Sequence, residues 1–292
     1  MNIWFERFDR YHFFDWMPDA LYLRMRFKQS CGYTLNLTEP KTFNEKLQWL
    51  KLHNRKSEYT VMVDKYKVRE YIAQMLGEEY LIPLLGVWDD PEDIDFDALP
   101  NRFVLKCNHN SGLGMCICKE KSKLDISKVK EELRKGLHQN YYLSGREWPY
   151  KDVPRKIIAE KYMEDASGDL KDYKFYCFNG VMRFVMINSD RNTSKPTRAD
   201  YFDRDFNWLD FTWGYSHAEP HPQKPDQFEK MVAIAEKLSK GLPHVRVDLY
   251  DCNGKIYFGE LTFFDGSGFD KIEPEKWDYK IGDMLELPSP KC

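Results

Sequence analysis

Apolar residues recur along this chain with two different periods. In the first part the period is helical. Thr42-Phe-Asn-Glu45 has the pattern of a capping box and opens a segment with Phe43, Leu47 and Leu50 on one face. Asp64 to Met75 reads as another helix, stopped by Gly77. Leu81 to Val87 predicts a short strand, and Arg102 to Lys106 a second one. The second runs into the loop Cys107-Asn-His-Asn-Ser-Gly-Leu-Gly-Met115, and a third strand continues through Lys119. Ile126, Val129, Leu133 and Leu137 return to helical spacing. From Ile157 the chain turns to strands. Tyr173 to Phe178 and Val181 to Asn188 flank Asn179-Gly180, a strong hairpin signal. Phe228, Met231, Ala235, Leu238 and Leu242 mark one more helix, and His244 to Thr262 closes the pattern as a hairpin around Asn253-Gly254. This order predicts an α+β fold, hairpin-rich sheets with helices packed on them.

Composition narrows the classes. The 292 residues are 42% hydrophobic and 15% aromatic, enough for a substantial core in one large domain or two lobes. Net charge is −3 and no basic block suggests a nucleic-acid groove. Seven cysteines at irregular spacing argue against a disulfide framework and for a reducing cytosol. Cys116-x-Cys118 lacks a second ligand pair for zinc, and Asp93-x-Asp95-x-Asp97 lacks the glycine and distal glutamate of a calcium loop. No apolar run approaches the roughly 20 residues of a membrane span. The N-terminus is nonetheless rich in aromatics (Trp4, Phe5, Phe8, Tyr11, Phe13, Phe14, Trp16). Interspersed acids favour their packing onto the body of the protein, with peripheral membrane contact as the other reading.

The last hairpin carries the strongest chemistry. Arg246 and Asp248 share one strand face, and Glu260 and Thr262 share one on the other strand. A two-residue turn would oppose Val247 to Glu260 and separate the acids. A three-residue loop, Cys252-Asn253-Gly254 with Gly254 left-handed, would oppose Arg246 to Glu260 and bring Asp248 to the same side, and a metal site on this hairpin requires that loop. A shared face is read in two ways: an Arg246–Glu260 ion pair beside a solvated Asp248, or a divalent cation such as Mg²⁺ held by Asp248 and Glu260.

Other residues suit an anion. Lys106 ends a strand before a loop holding Ser111, Gly112 and Gly114, where glycines let backbone amides approach a phosphate. The plain alternative is a surface hairpin. Lys65 follows Asp64 at a helix start, where an ordinary cap is the plain reading. Asp172 and Lys174 share a strand face, which a solvated sheet edge would also explain. Glu160-Lys-Tyr-Met163 closes an apolar strand whose end can offer backbone groups to a purine edge.

Taken in order, Asp64-Lys65, Phe103-Val-Leu-Lys106, Asn110-Ser-Gly-Leu-Gly114, Ile158-Ala-Glu-Lys-Tyr-Met163, Asp172-Tyr-Lys174, Arg246-Val-Asp248 and Glu260-Leu-Thr262 resemble the ATP-grasp superfamily. Asp172-Tyr-Lys-Phe-Tyr-Cys-Phe-Asn-Gly180, Pro40-Lys-Thr-Phe-Asn-Glu-Lys-Leu-Gln-Trp-Leu50 and Tyr257-Phe-Gly-Glu-Leu-Thr262 are similar to its TupA-like branch, named for teichuronopeptide biosynthesis. The resemblance implies two α+β lobes gripping ATP: an N-lobe over 61–156 and a C-lobe over 157–292. A short helical extension over 1–60 stands in place of a full preceding domain. It implies phosphate contacts from Lys65 and Lys106, closure of a loop containing Asn110, Ser111, Gly112 and Gly114, an adenine hinge at Glu160, Lys161, Tyr162 and Met163, and Asp172 near the ribose. It further implies Lys174 and Arg191 near the γ-phosphate, Arg246 on the transferring phosphate, and Asp248, Glu260 and Thr262 around two Mg²⁺ ions. Thr262 departs from the asparagine usual at its position.

The activity implied is a carboxylate–amine ligase working through an acyl phosphate. It would join an amino acid to a uronic acid of a bacterial surface polysaccharide or its nucleotide-sugar or lipid-linked precursor, in the cytoplasm or at the inner face of the membrane. The rivals are a phosphotransferase acting on a sugar hydroxyl and a non-catalytic glycan- or nucleotide-binding partner of a glycosyltransferase.

Overall fold

The computed structural model describes residues 7–9, 11–165, 170–190 and 196–289. It divides into two compact units, Lys56–Tyr142 with Trp148–Leu170, and Met1–Arg55 with Leu143–Glu147 and Lys171–Cys292. The boundaries differ from those read in the sequence. The strand Ile157–Lys161 pairs with strands near residues 84 and 103, so the first unit runs on to residue 170. Helices Asp19–Cys31 and Phe43–His53 belong to the second unit and form no separate extension. Partners far apart in sequence decide both points, and local periodicity does not report them.

The first unit holds a four-stranded antiparallel sheet of β1 (Leu84–Trp88), β2 (Phe103–Cys107), β3 (Met115–Cys118) and β4 (Ile157–Lys161), in the order β1-β4-β2-β3. Phe103 and Leu105 alternate inward and meet Ile157 and Ala159, with Val129 and Leu133 of the helix Ile126–His138 over them. Each of the larger of these side chains contributes about 1.5–3 kcal/mol of burial. Asp125 starts that helix by accepting from the Lys128 amide at 3.0 Å.

The second unit is built on β5 (Lys171–Phe178), β6 (Val181–Ser189), β7 (Arg198–Asp203), β9 (His244–Cys252) and β10 (Lys255–Thr262). These form an antiparallel sheet in the order β10-β9-β5-β6-β7; β8 (Thr212–Trp213) pairs apart with β11 (Ile272–Glu273). Asn179-Gly180 and Asn253-Gly254 both take left-handed conformations, as two-residue hairpin turns require. One face of the sheet carries Phe175, Val245, Val247 and Leu249. The helix Phe228–Ser239 brings Phe228 against Phe175 there, ring centroids 6.0 Å apart. The opposite face carries Asp172, Lys174, Tyr176, Arg246 and Asp248, all buried.

The capping box of Phe43–His53 forms as its sequence predicts, Thr42 Oγ1 accepting from the Glu45 amide and Glu45 from the Thr42 amide, both at 3.1 Å. Of the N-terminal aromatics, Phe14 packs on a core cluster, whereas Phe8, Tyr11, Phe13 and Trp16 are exposed, unlike the packing expected for them. Trp4 and Phe5 lie outside the described residues. No helix among the described residues is long and apolar enough to cross a membrane.

Candidate active site

The closing hairpin forms with a register that corrects its sequence reading. Lys255 pairs with Cys252 and Phe258 with Leu249, so Asn253-Gly254 is a two-residue turn and the three-residue loop does not form. Continued regularly, that register would oppose Glu260 to Val247. Instead it shifts at Gly259, and Glu260 pairs with Asp248, Leu261 with Val247 and Thr262 with Arg246. A β-bulge within the strand therefore does what the longer loop was expected to do. Glycine suits the position because a Cβ there would stand 3.0 Å from the Asp248 carbonyl oxygen and 3.1 Å from the Tyr250 ring. The sequence carries a signal for it: buried Ile256 and Phe258 fall on even positions, then buried Leu261 and Phe263 on odd ones. A period of two that changes parity marks an inserted residue.

The bulge completes a row across three strands. Lys174 pairs with Asp248 and Asp248 with Glu260; in the next row Tyr176 pairs with Arg246 and Arg246 with Thr262. Lys174 Nζ lies 2.6 Å from both Asp172 and Asp248. Since β5 lies between β9 and β6, the solvated-edge reading of Asp172 and Lys174 does not hold. Arg246 donates to Asp248 from Nε and Nη2 at 2.7 Å each, and to Glu260 from Nη2 at 2.9 Å. Its Nη1 donates to Asp265, which also accepts from the Tyr176 hydroxyl. Thr262 Oγ1 donates to Glu260 at 3.1 Å.

Burial opposes the Arg246 charge, but Asp248 and Asp265 outweigh it and hold the guanidinium well above its ordinary value. Burial likewise pulls Lys174 down, and Asp248 and Asp172 reverse it to a net rise. Burial raises the Asp248 carboxyl against the pull of Arg246 and Lys174. Breaking such a buried pair from one side costs about 3–5 kcal/mol because a charge is left uncompensated.

Asp265 was not among the residues singled out in the sequence. It lies beyond the strand, in the turn Asp265-Gly-Ser-Gly268, and only the tertiary fold carries it back to Arg246. Asp172, Asp248, Glu260 and Asp265 against Lys174 and Arg246 leave two formal negative charges. Among the described residues no group of three or more His, Cys, Asp or Glu forms a complete metal cage. Asp248 opposite Glu260 fits a hard cation of the Mg²⁺ type, which takes one or two carboxylates and shares its other positions with phosphate and water. Arg246 meets Glu260 directly, as the ion-pair reading has it, but Asp248 is buried and bound by Lys174 and Arg246 rather than solvated.

The first unit holds the other candidates. Lys65 donates from Nζ to the Asn110 carbonyl at 2.6 Å, and its amide to the Asn108 carbonyl at 3.1 Å. Asp64 accepts from the Tyr66 and Lys67 amides and from the Asn108 side chain, so it ties the turn before the helix Val68–Leu76 to the loop; it is not that helix's cap, which is Lys67. Ser111 and Gly112 are exposed; Gly114, with φ +67°, lies against Gly136, whose Cα would be 2.8 Å from a Cβ. Lys106 reaches Glu160 at 2.6 Å, and Arg69 reaches the same carboxylate at 3.3 Å. Glu160 is thus an anchor for the Lys106 ammonium. Lys161 follows exposed, Tyr162 stacks under the Arg102 guanidinium 4.2 Å from its ring centroid, and Met163 is half-buried. Arg191 lies outside the described residues.

The profile of the TupA-like ATPgrasp family matches residues 45–286. The chain is 28% identical over 113 residues to a lipoteichoic acid synthase of Staphylococcus saprophyticus, a stretch that is 38% of this chain and 16% of that protein. Among solved structures it is similar to a D-alanine–D-alanine ligase of Bacillus anthracis, at 21% identity and TM-score 0.41 over 70% of this chain and 57% of that one. The Helicobacter pylori D-alanine–D-alanine ligase is 14% identical, with TM-score 0.46 over 83% and 69% of the two chains. The chain thus spans a small part of its curated relative and just over half of the first of these ligases. With the family profile matching residues 45–286, well over half of the chain, this chain belongs to the TupA-like ATP-grasp family.

Proposed function

We propose that the chain is an ATP-dependent carboxylate–amine ligase. The observation that carries this reading is the row Lys174–Asp248–Glu260, with Arg246 bound to both acids and the Gly259 bulge setting the register. Phosphoryl transfer needs positioning and charge neutralisation more than a protein nucleophile. In the first step a substrate carboxylate oxygen attacks the γ-phosphorus of ATP and ADP leaves, giving an acyl phosphate. In the second an amine nitrogen attacks the acyl carbon, loses a proton and expels inorganic phosphate.

Asp248, Glu260 and Thr262 would hold Mg²⁺, which supplies charge neutralisation on the phosphate oxygens. Arg246, Lys174 and Arg191 are assigned to the transferring phosphoryl group. Lys65, Lys106 and the loop amides at Asn110, Ser111, Gly112 and Gly114 are assigned to the remaining phosphates. The backbone of Glu160 to Met163 would bind adenine, and Asp172 the ribose. We further propose an amino acid and a uronic acid of a surface glycan or its precursor as the substrates. That reading is drawn from the branch of the family.

Phosphate release with a panel of amino acids against uronic-acid acceptors, followed by mass spectrometry of the products, tests the proposal. An amide product with ADP and phosphate is expected. ADP with a phosphorylated sugar and no amine dependence would replace the ligase by a phosphotransferase. Nucleotide binding without turnover would leave a binding protein. Glu260→Gln is expected to abolish Mg²⁺-dependent turnover while leaving the fold intact by circular dichroism; full activity in that variant would remove the metal role.

A further inference from the structure

The second unit contains a cavity of about 330 Å³ lined by Arg26, Ser30, Ser144, Ser267, Asp270 and Lys271. It adjoins the acid–arginine cluster, since its wall begins at Gly266, next to Asp265, and Asp265 and Arg26 both act electrostatically on Asp270. Its volume lies at the small end of ligand pockets.

The wall is firmly held. Gly266, Ser267 and Gly268 take successive left-handed conformations, with φ of 53°, 53° and 62°. The helix Phe43–His53 turns three buried polar side chains, Asn44, Gln48 and Lys51, onto the carbonyls of Ser267, Gly268 and Asp270. Gln48 donates to Ser267 and Gly268 at 3.0 and 2.8 Å, Lys51 to Ser267 at 2.7 Å, and Asn44 to Asp270 at 2.9 Å. This is the helix of the Pro40–Leu50 phrase, which the nucleotide chemistry leaves unused. A Cβ on Gly266 would lie 2.3 Å from Asp270 Oδ2, so that backbone stands flush against the carboxylate. Rigid walls of this kind lower the ordering cost of binding.

The lining carries both signs of charge. Among the described residues neither Asp270 nor Lys271 makes an ion pair, whereas Arg26 is braced by Asp9 at 2.7 Å. Ser30 and Ser144 supply uncharged hydroxyls around them, while the Ser267 hydroxyl donates to Glu147. A sugar acid would bring one carboxylate and set it against Asp270 as well as the cations. A free amino acid brings a carboxylate and an ammonium together and can satisfy both.

We propose that this cavity binds the amino-acid substrate as its zwitterion, the carboxylate to Arg26 and Lys271 and the ammonium to Asp270. This deepens the ligase reading above and rests on it. Charge-assisted hydrogen bonds to ionised groups are the strong ones, so removing either partner should be plainly visible in affinity.

The test is calorimetric titration of the common L-amino acids into the full chain, with Mg²⁺ and a non-hydrolysable ATP analogue present. It compares the wild type with Asp270→Asn and Lys271→Ala, both substitutions at exposed positions. At least one amino acid should bind the wild type, with Kd raised tenfold or more in each variant and the affinity for the ATP analogue unchanged. No binding by the wild type, or equal binding by the variants, overturns the proposal. Product analysis separates it from the reading on which it rests. Amide formation with an unchanged amino-acid KM in Asp270→Asn sinks the site alone. Amino-acid binding lost in the variants, with no amide formed by the wild type, supports the site and sinks the ligase.

Discussion

Replacing Gly259 by alanine puts one methyl group where the bulge has no room for it. The new Cβ would meet the Asp248 carbonyl oxygen at 3.0 Å, Tyr250 Cε2 at 3.1 Å and Asp248 Cβ at 3.3 Å. Carbon contacts are comfortable at about 3.5–4.0 Å, so the Asp248 backbone and the Tyr250 ring on β9 must give by a few tenths of an ångström. Overpacking of this kind costs about 1–3 kcal/mol. The carboxylates of Asp248 and Glu260 move with their strands, and catalytic groups tolerate only about 0.5 Å. A misplacement of 1 Å is worth about 10²-fold in rate, so a few tenths of that is worth about fivefold in kcat. Gly259→Val, with two further carbons, should lose more of both. Urea unfolding gives the stability term, and phosphate release at saturating ATP and Mg²⁺ gives the rate term. Wild-type stability and turnover in Gly259→Ala would refute the bulge as the device that opposes the two acids. Lost stability with unchanged kcat would show that the opposition of the acids does not limit the reaction.

Two other outcomes bear on the remaining elements. Lys106→Ala removes the cation that Glu160 holds at 2.6 Å and should raise the KM for ATP about tenfold, a change of about 1.4 kcal/mol; an unchanged kcat/KM would take Lys106 out of the site. His244 is buried, and burial, only partly opposed by its hydrogen bond to the Cys177 carbonyl, lowers its pKa to about 4. Between pH 6.5 and about 4 the unfolded imidazole binds a proton that the folded one refuses. Stability should therefore fall with pH across that window, by about 3 kcal/mol in full. Urea midpoints from pH 7 to 4 should drop less steeply in His244→Phe than in the wild type, and parallel profiles would exclude His244 as the source.

Much of the site was legible because its determinants are local. A strand forces Arg246 and Asp248 to one face, and Asn-Gly between alternating strands signals a hairpin. The capping box at Thr42 and the hairpin at Asn179-Gly180 form where their residues predict them. What misled was the turn before Lys255. The acids had to share a face, and a longer loop was one way to achieve it, whereas the extra residue sits five positions further on, at Gly259. Its trace, the parity change between Phe258 and Leu261, was present in the apolar pattern itself.

Asp265 and the Asp270 cavity are of another kind. Nothing in the spacing of residues 265–271 ties them to Arg246 or to the helix at 43–53, more than two hundred positions earlier. Those contacts exist because buried Gln48 and Lys51 need acceptors and the strap's carbonyls need donors, and folding alone brings the two together. The assignment of β4 to the first sheet has the same origin. Sequence by itself determined the strongly periodic elements, the faces within each regular stretch and the identity of the chemical groups, because φ/ψ preference and side-chain period act over a few residues; the strand Arg198–Asp203 and the helices Asp19–Cys31 and Lys276–Asp283 were not read from it. Tertiary structure decided which strands are neighbours, where the bulge restores the register and which distant side chains complete the site, because those depend on pairing and burial between segments with no local constraint on one another.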